Sequence, residues 1–386
     1  MLGVLLASVF VLSTEWNEGT FAVVERGEKV CLAGRIDSEG RGYDAMVGVL
    51  VESFYRVSSR REDYSYTLES YGEKCIAGIT TTGRGNMDIA LVTFGDGNPE
   101  VVLSLGGTGE DMLWYMRKVE NGYVLVGGVR FVNWDILVIK LNDDLEPEWH
   151  LRIGTERNEY AYGVAEREGF YYVVGRSDYR LGWDGFILTL SQEGLLKSAK
   201  LLGTEGKDYL RYVEVLDGFL LSVGRTEVDG DSDVLLCDER DRCVIYDVEE
   251  FDYGRVIVKG EGGFVLAGDT YVGGQSDGLL IFLDTELNPV SCVGVGGDNH
   301  DSIRSLTPKG TFAGYTYSFT LSGDAIVGRG GVCEKASHML RCKRKHFNVE
   351  RLPFPVVSKP YELTKLSLKL SIYPLEMETI KPCLQE

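Results

Sequence analysis

Residues able to do chemistry are few in this chain: four histidines, two acidic strings and eight cysteines. His300 lies in GGDNHDS, where Asp298, Asn299, His300 and Asp301 have the donor types to hold a cation or move a proton. GTERNEY, GTEGKDY and GGTGEDM stand at the equivalent place elsewhere, so this string reads first as a turn between repeats, with His300 kept as a candidate binding residue. His150 sits in a strand pattern between Trp149 and Leu151, and His338 and His346 belong to a basic C-terminal segment. EVDGDSDV places Asp229, Asp231 and Asp233 at alternate positions, as a calcium loop begins. Its sixth position is Val234 where glycine is needed and its ninth is Cys237 where a carboxylate is needed, so these three aspartates are weak calcium candidates only. No other metal or cofactor is expected. There is no H-E-x-x-H, no phosphate loop and no G-x-G-x-x-G, and no catalytic residue is assigned.

Aromatic residues are the better lead. Tyr43, Trp134 and Trp183 each precede an aspartate that recurs along the chain, while Trp114, Tyr160 and Tyr209 follow the recurrent turns. Tyr and Trp gathered on one face, with Asp and Glu between them, suit stacking on a sugar or a peptide. The competing use of such rings is packing between neighbouring repeats.

What positions these residues is an internal repeat. An apolar run ends in Gly34, Gly78, Gly128, Gly175, Gly224, Gly268 and Gly314, and after each glycine and a polar loop an aspartate opens a second apolar run: Asp44, Asp88, Asp135, Asp184, Asp233, Asp277 and Asp324. Both markers recur every 44 to 50 residues. Runs such as GYVLVGG and DILVIKL are too short for core helices and read as buried strands. Turn strings such as NDDLEP and DTELNP lead to a further strand, which gives four strands per repeat, the unit of a β-propeller blade. The repeat aspartates are expected to hold the loop that precedes them. The expectation is an all-β, seven-bladed β-propeller over residues 19–330, closed by an N-terminal strand in residues 1–18 and followed by a basic, then β-rich extension over residues 331–386.

The stretch GGFVLAGDTYVGGQSDGLLIFLDTELNPVSCVGVGGDNHDSI resembles the propeller repeats of archaeal and bacterial surface proteins, whose pattern is G-G-(Y/F)-hydrophobic-(A/V)-G, D-hydrophobic-L and G-G/T. That resemblance implies a fold and no particular activity. WD-repeat and kelch patterns fit less well: Trp134-Asp135 and Trp183-Asp184 open strands, whereas the WD dipeptide ends one.

VFVLSTEWNEGTFAVVERGEKVCLAG aligns with VVLSLGGTGEDMLWYMRKVENGYVLVGG, so Val9 to Ser13 is expected to pair with the strand opening at Asp324. A secretory signal is the rival reading of the first residues, which carry no Lys or Arg before Arg26. From Glu334 to Lys359 seven cations (Lys335, Arg341, Lys343, Arg344, Lys345, Arg351, Lys359) face two acids, in a chain of 386 residues whose net charge is −19. This extension is expected either to pack on the ring or to form an eighth partial blade, and self-association through it is a further expectation. The acidic balance argues against nucleic acid. The longest apolar run, Leu2 to Leu12, is shorter than the roughly 20 residues of a membrane-spanning helix.

Cys237 with Cys243, and Cys333 with Cys342, have disulfide spacing across short turns, whereas Cys31 and Cys75 read as buried free thiols. Few Gln among many charged residues is a hyperthermophile trait, so the cysteines fit either an extracellular or cell-surface protein or a cytoplasmic one of such an organism. Three functions follow: a non-enzymatic scaffold binding a protein or peptide through its loop-rich face, a carbohydrate-binding or carbohydrate-cleaving propeller, and a structural surface or assembly subunit.

Overall fold

The computed structural model of the chain describes residues 8–37, 42–59, 61–180, 182–228, 230–240, 242–319, 323–329, 338–345, 350–353, 355–359, 361–365, 371–375 and 378–380. The regular structure there is all β. Among the described residues no helix is long and apolar enough to cross a membrane.

Each repeat folds as a four-stranded antiparallel meander. The first consists of Glu18–Arg26, Lys29–Asp37, Tyr43–Val49 and Ser53–Ser58. The innermost strands of the next five are Asp63–Tyr71, Glu110–Val119, Glu159–Arg167, Tyr209–Leu216 and Phe251–Gly260. Second and third strands are apolar on both faces because neighbouring units cover both: Trp134–Leu141 is buried at every position after Trp134. Fourth strands are half solvated, and LKSAKLLG (Leu196–Gly203) carries lysines accordingly. First and second strands meet in tight hairpins; Asp217 and Gly218 both have positive φ, 50° and 80°, as a two-residue turn matching strand twist requires.

The described strands form six hydrogen-bonded sheets, one of ten strands in which a single parallel bridge, Ser232 to Phe251, joins two units. The last unit, Asp301–Leu306, Phe312–Thr316 and Asp324–Arg329, takes its fourth strand from the other end of the chain: Ser8–Ser13 runs antiparallel to Asp324–Arg329, with Val9 opposite Gly328 and Leu12 opposite Ala325. First and last units also touch directly, Thr20 Oγ1 donating to Gly314 O at 2.7 Å and Glu18 N to Gly323 O at 2.7 Å.

The described strands of the C-terminal extension do not pair with one another as a blade of their own. They visit the units in reverse chain order, each adding a short antiparallel fifth strand. His338–Leu340 pairs with Pro289–Val295, Lys343–Lys345 with Cys243–Asp247, Glu350–Pro353 with Leu196–Gly203 and Val357–Lys359 with Pro147–Gly154. Thr364–Lys365 then pairs with Glu100–Gly106, Ser371–Leu375 with Ser53–Ser58, and Glu378–Ile380 with Ser8–Ser13. Backbone groups that an outer edge would expose are thereby paired within the chain. Side chains fasten this belt: Lys359 Nζ lies 2.6 Å from Asp135 Oδ1, Tyr361 OH donates to Asp111, and Arg344 Nη1 donates to Asn288 Oδ1 at 2.6 Å.

Cys237 and Cys243 are bonded, in register across their hairpin. Two other cysteine expectations are corrected. Cys31 and Cys75 are bonded to each other with Cα atoms 6.6 Å apart, because equivalent inward positions of adjacent sheets face one another across the junction. Cys342 is bonded to Cys292, pinning the belt to the unit beneath it; Cys333, its expected partner, lies outside the described residues.

Candidate functional site

Every innermost strand carries a β-bulge at the same place. Pairing with the second strand skips one residue each time: Phe21, Tyr66, Trp114, Tyr162, Arg211, Arg255 and Arg304. A bulge leaves its extra residue unpaired and re-aims it, and all of these side chains line one cavity of about 1260 Å³. In five units the repeat glycine stands opposite the bulge. In Gly224 an added Cβ would overlap the Tyr209 carbonyl, and in Gly268 the Tyr253 carbonyl, since the bulged backbone turns that oxygen into the second strand. In the third repeat the residue opposite the bulge is Gly127 rather than Gly128, and in the second it is Ile79 rather than Gly78.

The bulge set divides in two. Phe21, Tyr66, Trp114 and Tyr162 form an aromatic arc with successive centroids 5.1, 4.8 and 5.6 Å apart. Arg211, Arg255 and Arg304 are the bulge residues of the three units that follow. The Arg211 guanidinium lies 5.1 Å from the Trp114 ring and 4.8 Å from Tyr162, while Arg255 pairs with Asp269 and Arg304 reaches Tyr315 OH at 3.1 Å. Around the mouth further arginines lie over rings, Arg35 4.1 Å from Tyr43 and Arg176 3.9 Å from Trp183. Farther along the innermost strands the cavity is crossed: Arg117 Nη2 meets Glu214 Oε1 at 2.5 Å and Tyr212 OH donates to Glu214 Oε2 at 2.8 Å. Gly163, on the unit between, leaves room; its Cβ would stand 3.1 Å from the Tyr212 Cα.

Three residues before each bulge stands an acid: Glu18, Asp63, Asp111, Glu159, Asp208, Asp252 or Asp301, each at most 4% exposed. Most accept the backbone N–H four residues earlier, Ser59 to Asp63 at 2.6 Å, Thr204 to Asp208 at 2.6 Å and Val248 to Asp252 at 2.8 Å among them. Each is set beside a repeat aspartate of another unit: Asp63 feels Asp44, Asp208 feels Asp184 and Glu18 feels Asp324. The repeat aspartates hold cations, as in Arg84 Nε to Asp88 at 2.8 Å and Arg180 Nε to Asp184 at 2.9 Å. Their partners are driven the other way. Burial first, then the neighbouring carboxylate, pushes Glu18 up to about 8, Asp252 to about 7, and Asp63 and Asp111 to about 6, and raises Glu159 and Asp208 as well. Asp301 is raised by burial.

Of the residues singled out in the sequence, Tyr43, Trp114, Trp183, Tyr209 and His300 line the cavity. Trp134 and Tyr160 stand behind it, their rings 5.6 Å apart, with Tyr160 stacked on Tyr162 at 6.3 Å. The charges between the rings are mainly guanidinium groups, and Glu25, Glu69 and Glu214 line the same cavity farther along the innermost strands. Six of the seven bulge residues escape sequence reading because residue type changes along the set; the signal is a position, three residues after each junction acid. Asp231, Asp233 and Asp247 come within 4.8 Å of one another, and Asp229 lies outside the described residues. Gly274-Gln-Ser-Asp-Gly278 has the spacing of a nucleophile elbow, but Ser276 is in a strand, 4% exposed, and donates its own N–H to His300 Nδ1 at 3.1 Å.

No protein-family model matches the chain. A protein of Aquifex aeolicus (strain VF5), described as uncharacterized, is 36% identical over 321 residues, spanning 83% of this chain and 90% of that protein. Two crystal structures of Sqt1 from Chaetomium thermophilum superimpose with TM-scores of 0.45 and 0.46 at 9% identity, over 85% of this chain and 99% and 96% of theirs.

Proposed function

The chain belongs to the same family as this Aquifex aeolicus protein, and we propose that it is a closed seven-bladed propeller acting as a non-enzymatic scaffold, which binds a protein or peptide segment at the mouth of its axial cavity. Closure is supported by the pairing of Ser8–Ser13 on the last unit and by the Thr20 and Glu18 bonds to it. Fifth strands from the C-terminus then tie the outer edges, ending on the closing strand itself.

The observation that carries the binding reading is the bulge set. One backbone device, repeated in every unit, delivers unlike side chains to one cavity. Rings with polar groups converging in a concavity are what a peptide segment needs. The nearest carboxylates cap loops and balance arginines, a use that favours binding over the paired-carboxylate hydrolysis of sugars. Three disulfides favour an oxidising, extracellular setting.

Selection of displayed random heptapeptides on the immobilised full chain tests the reading. Enriched peptides are expected to lose binding to the Trp114→Ala and Tyr162→Ala variants. Enriched peptides that bind these folded variants unchanged would place the interface elsewhere, and enrichment of glycans alone in a parallel array would favour a carbohydrate partner.

A further inference from the structure

We infer that the cavity mouth recognises an oxyanion on its peptide partner, a carboxylate or a phosphoryl group, through Arg211 with Arg255 and Arg304, while the aromatic arc receives the residues beside it. This rests on the reading of the cavity as a peptide site and names the chemistry that the site selects.

Three guanidinium groups on consecutive units face one cavity in a chain of net charge −19. Their compensation is incomplete. Asp269 is committed to Arg255 Nε at 2.6 Å and accepts from Ser302 Oγ as well. Arg304 has a phenol, Tyr315 OH, and its Nε is buried without a partner. Among the described residues no carboxylate lies within ion-pair reach of Arg211. Burial and the charges of Arg255 and Arg304 hold its guanidinium below the usual range, against the pull of nearby tyrosines. Like charges gathered out of water favour an entering anion, which relieves their repulsion.

Geometry gives the recognition mode. Contact with Trp114 and Tyr162 fixes the Arg211 group by cation–π attraction and leaves N–H donors for a bidentate oxyanion. The same contacts occupy ring surfaces on which a pyranose would stack, which favours a peptide over a sugar. The chain's net charge of −19 repels a polyanion, so one or two oxyanions are admitted rather than a nucleic acid strand.

Calorimetric titration of the full chain with three peptides tests this: acetyl-AYEYEA-amide, its Glu-to-Gln form AYQYQA, and the Gln form phosphorylated on its second tyrosine. The expected result is that the Glu peptide binds at least about tenfold more tightly than the Gln peptide. Arg211→Gln should abolish that preference, Arg211→Lys keep part of it, and Lys259→Gln, an exposed residue outside the cavity lining, leave it intact. The phosphopeptide arm distinguishes the oxyanion's source: a preference for it alone assigns a phosphoryl group, and for the Glu peptide alone a carboxylate. Equal binding of all three by the native chain would overturn the oxyanion and leave the peptide site standing. Binding of none would overturn both. Arg304→Gln serves if Arg211→Gln melts early, and a preference unchanged in a folded variant of either would refute the assignment.

Discussion

Two positions on the innermost strands, three residues apart, behave in opposite ways. At the first, every unit has an acid, Glu18 through Asp301, withdrawn into a junction where it caps a loop. At the second, the bulge, backbone geometry repeats as faithfully but the side chain passes from Phe21 and three further aromatics to three arginines. Constancy of chemistry accompanies burial; constancy of backbone with changing chemistry accompanies exposure to the cavity. A repeat architecture therefore separates what holds each unit from what the units together present.

The largest effect on stability is expected at the bulge backbone. Gly224→Val should cost about 3 kcal/mol, because its Cβ meets the Tyr209 carbonyl and the two strands must shift to admit it; chemical denaturation of the variant checks it. Removing a junction acid comes next. Asp208→Ala leaves the Thr204 N–H without its acceptor and should cost about 2 kcal/mol by the same assay.

The junction acids also give a pH signature. Glu18, Asp63, Asp111 and Asp252 hold protons in the folded chain up to about pH 6 to 8, whereas unfolded carboxylates release them near pH 4. The folded state binds more protons through this window, so stability falls as pH rises across it. Melting should be higher at pH 5 than at pH 8.5, and Asp63→Asn with Asp252→Asn should flatten the slope; a melting temperature that rises over that range would contradict these assignments. Smallest in stability are the bulge side chains: Trp114→Ala and Arg211→Gln should each change unfolding free energy by only about 1 kcal/mol, measured by denaturant titration.

What could be read from sequence follows the same division. Gly224 and Asp184 mark their repeats because steric and electrostatic demands recur in each unit, and the pairing of Val9 to Ser13 was legible from the repeat it completes. The bulge residues were not, since Tyr66 and Arg211 share a position and no chemistry. The belt was hidden for another reason: strands as short as Val357–Lys359 or Thr364–Lys365 have no period to detect, and their partners lie more than 200 residues away. Cys31 and Cys75 occupy equivalent points of adjacent repeats, and such equivalence marks residues that meet across a junction.

Melting temperature and Glu-peptide affinity, measured together on single substitutions at the acid and bulge positions of three units (Asp111 and Trp114, Asp208 and Arg211, Asp301 and Arg304), separate the residues that hold the units from those that bind. Two groups are expected: acid variants that melt early, and bulge variants that melt close to the native chain while losing affinity about tenfold. Bulge variants that lose stability as acid variants do while keeping native affinity would contradict this division, and would make both positions structural.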